Sequence, residues 1–204
     1  MSNFLRVAGL MFFLAFVAVS GPTGAQETAP RAIVENFQNE LLEVMKLAGT
    51  LDVRGRYQRL EPVVRETYHL PLMIRIATGS YWDTGTRAQK GRLVAAFRRM
   101  RLSTLATLFD GYSGQIFRTV GEKPGPQGIH IVQTELVDTD DSTVDIAYIA
   151  KRSKNRWRIV DVILDDGISE LKVRQSEYRR VLQEGGIEGL ISVLNTKAAE
   201  LIDQ

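Results

Sequence analysis

Residues 129–164 read IHIVQTELVDTDDSTVDIAYIAKRSKNRWRIVDVIL, and this stretch decides the fold. Three runs, 129–138, 143–151 and 156–164, are rich in β-branched and aromatic residues, which favour strands. Between them lie Asp138-Thr139-Asp140-Asp141-Ser142 and Ser153-Lys154-Asn155, whose short polar side chains favour turns. Links this short join only antiparallel neighbours, so the runs form a meander. Upstream, 112–120 is a fourth strand candidate, followed by a Pro/Gly loop from Gly121 to Gly128.

Helical spacing flanks the strands on both sides. From Pro30, the apolar residues Val34, Phe37, Leu41, Val44, Met45 and Ala48 recur at three- and four-residue steps, with Gly49 placed as a stop. Pro62 and Pro71 each suit a first helical turn, which predicts short helices over 61–68 and 71–78, the second ended by Gly79. Thr86 and Gln89 have capping-box spacing and open a long helix with an apolar stripe of Leu93, Phe97, Met100, Leu105, Leu108 and Phe109, which ends at Asp110-Gly111. After Asp165-Asp166-Gly167, the residues Leu171, Tyr178, Val181 and Leu182 share a helical face until Gly185-Gly186 breaks it. Ile187, Leu190, Ile191, Leu194, Ala198, Leu201 and Ile202 form a last amphipathic helix. The layout is α+β: helical over 30–110, sheet over 111–165 and helical over 168–203, with helices on one face of a curved four-stranded antiparallel sheet.

At the N-terminus, Arg6 precedes an uncharged apolar run of 13 residues, Val7 to Val19, and then small residues up to Ala25. That order predicts a secretory signal over 1–25, cleaved after Ala25, and a mature domain over 26–204. The run is short of the roughly 20 residues that span a bilayer. The expected location is therefore the periplasm. With no cysteine in the chain, no disulfide stabilises the exported fold, and no lipoprotein acylation site follows the leader. Without Arg6 the 26 Lys and Arg fall to 25, against 24 Asp and Glu, a near-neutral balance that argues against a nucleic-acid partner.

Catalytic chemistry finds little to work with. The imidazoles are His69, at a helix junction, and His130, in a strand, and neither sits in a motif. Ser113 in Gly111-Tyr112-Ser113-Gly114 opens a strand instead of joining a strand to a helix. Asp138, Asp140, Asp141, Asp165 and Asp166 lack calcium-loop spacing and suit turns. The expectation is no catalytic residue, metal or cofactor. Charge is uneven in one place: Arg87, Lys90, Arg92, Arg98, Arg99 and Arg101 crowd the long helix, with no acidic residue between Asp83 and Asp110. Such a run is a solvated face, or an electropositive rim for lipid phosphate or an acidic partner. Large apolar residues gather near the element junctions, but composition does not distinguish a filled core from a cavity.

Several segments carry a family resemblance: Leu70-Pro71-Leu72-Met73 leading to Gly79-Ser80-Tyr81-Trp82; Phe97-Arg98-Arg99 with Phe109-Asp110-Gly111-Tyr112-Ser113-Gly114; and Trp157-Arg158-Ile159-Val160-Asp161-Val162. The last continues through Ser169-Glu170-Leu171 and Arg174-Gln175-Ser176-Glu177-Tyr178 to Gly185-Gly186-Ile187-Glu188-Gly189-Leu190-Ile191. In combination and order the chain resembles the periplasmic MlaC-type, or toluene-tolerance, phospholipid-binding proteins over nearly all of its mature length. The Phe-Asp-Gly-Tyr-Ser-Gly and Ser-Glu-Leu stretches are closer to the hopanoid-associated HpnM branch. The resemblance implies an NTF2-like sheet with a helical subdomain around a lipid cavity. It also implies a non-enzymatic carrier of phospholipid or hopanoid, working between an inner-membrane ABC transporter and an outer-membrane lipid complex.

Apolar pattern and resemblance together place Met73, Trp82, Phe97, Met100, Phe109, Tyr148, Trp157 and Val162 on the cavity wall. Arg98, Arg99 and Arg101 are expected to meet a headgroup or a partner. Two other readings stay open at this level, an NTF2-like enzyme with polar residues in the same cavity and a ligand-free structural adaptor.

Overall fold

A computed structural model describes residues 29–165 and 167–203, so the expected leader over 1–25 and Asp166 lie outside the described residues. Helix α1 (Pro30–Lys46) starts on a proline, whose missing N–H has no helical partner to lose there, and buries Val34, Phe37, Leu41 and Val44. Asp52 caps α2 (Val53–Thr67) by accepting from the Gly55 amide at 2.7 Å. This single helix runs through Pro62, in place of the short helix expected to begin there. The carbonyl that Pro62 leaves without a donor belongs to Gln58, which is exposed and can bond water. Helix α3 (Leu70–Thr78) is capped by His69, whose Nδ1 accepts from the Leu72 amide at 3.3 Å, and stops at Gly79 with φ 56°. After the single turn α4 (Tyr81–Thr84), both halves of the Thr86–Gln89 capping box form, at 3.2 and 2.9 Å, and start α5 (Arg87–Leu108).

The sheet is an antiparallel meander in chain order: β1 (Ile116–Pro124), β2 (Ile129–Val137), β3 (Thr143–Ser153), β4 (Arg156–Leu164) and β5 (Ile168–Ser169). The two-residue β5, paired with the end of β4, is a fifth strand beyond the four expected. The strand expected over 112–120 lies later, because β1 pairs along the whole of β2 from Ile116 opposite Val137 to Pro124 opposite His130. A register shift between Thr119 and Gly121 leaves Val120 as the extra residue, and Gly121 pairs with Gln133 inside the strand instead of opening a loop. In β4, Ile149 opposes Asp161 while Ala150 opposes Ile159, so Val160 bulges out. The bulge changes the strand's parity, which lets Ile159 and Val162, three residues apart, both face inward and be buried.

Helix α1 lies on this inner face. Phe37 meets Tyr68 and Tyr148 edge-on, with ring centroids 5.0 and 6.3 Å apart. Gln38 donates to Thr134 Oγ1 at 2.9 Å, and Thr134 donates to the Ile146 carbonyl at 3.1 Å, which satisfies the buried polar atoms between helix and sheet. The α2–α3 junction is pinned to β4 by the His69 amide, which donates to the Ile159 carbonyl at 2.9 Å. The final helix, α6 (Glu170–Ile202), was expected as two; it continues past Gly185 and bends at Gly186, whose φ of 58° and ψ of −156° are non-helical.

Candidate functional site

Helices α1 and α5, the start of α6 and the inner face of β3 and β4 enclose a cavity of about 260 Å³. Its walls are mainly carbon, from Phe37 and Leu41 of α1, Phe97, Met100 and Leu105 of α5, and Ile146 of β3. The α5 stripe that faces it follows the i, i+4 spacing that stacks side chains on one helix face. The cavity opens between the ends of α5 and β4, where Leu108 is 69% and Leu164 42% exposed although both line it. Ile168, paired with Leu164 and therefore on the same face, is exposed beside them. A wider groove of about 510 Å³ near Asp52 is open and polar, and there Arg54 and Asp203 pair with each other at 2.5 Å.

One part of the wall is polar. Arg101 pairs through Nη1 with the Glu170 carboxylate, and its guanidinium carbon lies 4.4 Å from the centroid of the Tyr68 ring. Burial works against the Arg101 charge, but Glu170 and Tyr68 more than restore it, and its pKa is raised. Burial pushes the Tyr68 phenol up to about 12 despite the Arg101 charge, and it raises Tyr178 and Tyr148 as well. All three phenols are therefore protonated at neutral pH. The Tyr68 hydroxyl, the Tyr178 hydroxyl and Arg101 Nε are buried with no partner at hydrogen-bond geometry, although Tyr68 lies close enough to Arg101 to interact with its charge.

Glu170 owes its place to Asp161 on β4. One Asp161 oxygen accepts from the Leu171 amide at 3.1 Å and the other from the Ser169 hydroxyl at 2.6 Å. Ser169 in turn caps α6 by accepting from the Lys172 amide at 3.2 Å. The first helical residue, Glu170, is thus held against Arg101.

Of the residues expected on the wall, Phe97, Met100, Phe109, Tyr148 and Val162 line the cavity together. Met73 is fully buried within the packed core. Trp82 stands on α4 with the Lys90 ammonium 5.6 Å from its ring centroid, and Trp157 stacks edge-on with His130 at 5.8 Å. None of these three lines the cavity. Phe37 and Leu41 also line it and were visible as part of the α1 stripe, but nothing in the local pattern marks Glu170 as Arg101's partner.

The basic helix divides. Arg101 follows Phe97 by four residues, shares its face and points inward, so it does not belong to an outer rim. Arg98 and Arg99 face a groove beside Tyr57, Ile191 and Asn195, with no carboxylate within salt-bridge distance among the described residues. His69 serves as a helix cap and His130 lies 3.7 Å from Glu122, and neither lines the cavity. The turn carboxylates bond locally: Asp138 accepts from the Thr139 amide at 2.6 Å and Asp140 from the Ser142 amide at 3.0 Å.

A family model described as MlaC protein matches residues 35–196. Among solved structures, a phospholipid-binding protein from Ralstonia solanacearum, in complex with a phospholipid, superposes with a TM-score of 0.73 at 18% identity, over 84% of this chain and 98% of that one. That likeness is one of fold, and it agrees with the α+β arrangement of a curved antiparallel sheet and flanking helices. By the match over 35–196, the chain belongs to the MlaC family.

Proposed function

We propose that this chain is an exported, non-enzymatic lipid carrier that holds hydrocarbon from a membrane lipid in the cavity between α5, α6 and the sheet. The observation that carries this reading is a largely apolar cavity with an exposed apolar mouth at Leu108 and Leu164. The phospholipid bound by the structurally similar Ralstonia protein adds support. If a methylene needs the ~30 Å³ of a water molecule, 260 Å³ takes about nine carbons. At about 0.8 kcal/mol per methylene their burial contributes about 7 kcal/mol before the costs of association. That suffices to hold part of one chain. A two-tailed phospholipid, or the rigid rings of a hopanoid, requires α5 and α6 to move apart from the sheet.

In this reading the carrier works in the periplasm, between an inner-membrane ABC transporter and an outer-membrane lipid complex. Arg98 and Arg99 form its contact surface. The test is native mass spectrometry of protein purified from a membrane-containing host, followed by lipid extraction. A bound lipid is expected, and its mass distinguishes phospholipid from hopanoid. Val162→Trp should remove it while the protein stays folded. A clean ligand-free mass for the unaltered protein under gentle conditions would overturn the reading.

A further inference from the structure

The polar part of the cavity wall fits poorly with a guest that is all hydrocarbon. Tyr68, Tyr178 and Arg101 are 2%, 5% and 8% exposed, and each lines the cavity while leaving a buried polar atom without a partner. Buried hydroxyl and guanidinium groups are nearly always hydrogen-bonded, because each one stripped of water and left unpaired destabilises the fold. Three such atoms on one wall are a gap that a ligand would close.

Their chemistry indicates what closes it. Arg101 Nε can only donate, and the two phenols, protonated at neutral pH, can donate as well. The charges around the cavity already balance in pairs, Arg101 with Glu170 and Arg174 with Glu177, so no net charge calls for an anion. Arg101 also lies two helical turns inside Leu108, about 10 Å along α5 at about 1.5 Å per residue. The donors therefore meet a part of the guest well inside the mouth.

We propose that the inner wall formed by Tyr68, Arg101 and Tyr178 is a hydrogen-bonding subsite for one neutral acceptor oxygen, a hydroxyl or ester carbonyl, carried into the cavity on the lipid's hydrocarbon. The subsite rests on the carrier reading and narrows it, because a terminal methyl alone leaves these donors unpaired.

The test is calorimetric titration of delipidated protein with n-decanol and with n-decyl chloride, near-isosteres that differ in the polar atom. The unaltered protein is compared with Tyr68→Phe and with Tyr178→Phe. In each variant the ratio of decanol to chloride affinity should fall about tenfold, the weight of one hydrogen bond, with chloride binding unchanged. The ligand-free Tm should hold or rise, since each change removes an unsatisfied buried group. Decanoate should gain nothing over decanol. An unchanged ratio in both variants, or a lower Tm in both, would overturn the subsite and leave the carrier reading intact. Decanoate binding much more tightly would overturn the neutral oxygen. Binding of neither ligand to the unaltered protein would remove the carrier reading and the subsite with it.

Discussion

Asp161 shows how one side chain organises the site. Its carboxylate accepts from the Val162 and Leu171 amides and from the Ser169 hydroxyl, tying β4 to the first turn of α6. Asp161→Ala leaves those donors unpaired in a partly buried place and should cost about 2–3 kcal/mol in urea unfolding. His69 is a second decisive residue. Burial, and then the nearby Arg158 charge, hold its imidazole below the ordinary 6.5. The native state then binds fewer protons than the unfolded chain as pH falls through that value, so this group's stabilisation is present above 6.5 and is lost below it. His69→Asn keeps a capping acceptor and should flatten that acid-side slope when unfolding midpoints are compared between about pH 8 and about pH 5.

Between elements, the Arg101–Glu170 pair is a part-buried polar tie from α5 to α6, set in a largely apolar contact, while Gln89 and Arg92 meet Glu188 at the exposed end of the same helix pair. Arg101→Met strands a carboxylate that is only partly exposed. It should lower stability by about 3 kcal/mol, and adding Glu170→Gln should recover most of the loss in the same unfolding measurement. The bend in α6 makes a different demand. Gly186 holds φ 58° and ψ −156°, a region essentially reserved for glycine, although nothing lies within 4 Å of an added Cβ. Gly186→Ala should therefore cost about 1–3 kcal/mol from backbone strain alone. Gly185→Ala, in equally open space without a positive φ, should be neutral or slightly stabilising by thermal unfolding.

For the whole molecule, the decisive feature is a layer between helices and sheet that is left partly unfilled and open at one end. Leu108 guards that opening at 69% exposure, so a charge there should leave Tm unchanged. In the carrier reading, Leu108→Asp slows lipid transfer between vesicles, because an entering chain must pass a solvated carboxylate. Arg98→Glu with Arg99→Glu, on the side of α5 turned away from the cavity, should leave bound lipid and Tm unaltered while weakening binding to a membrane or partner complex. Pull-down or vesicle flotation at low and high salt reads that effect.

The amino-acid sequence by itself determined the meander and the helix starts near Pro30, Pro71 and Thr86, because alternation, turn residues and caps act within a few neighbouring residues. The family was legible in a different way, from the ordered motif segments that resemble it. Much of the cavity wall was legible too, since Phe97, Met100 and Phe109 fall on one helical stripe. Tertiary structure decided what depends on distant partners. The full pairing of β1 with β2 overrode the loop signal of Gly121, and α2, packed against α1 and α5, ran on through Pro62. Arg101 turned inward because a carboxylate, Glu170, waits 69 residues further along the chain. Whether greasy side chains fill a space or surround one depends on how separate elements are held apart, and no local pattern encodes that separation.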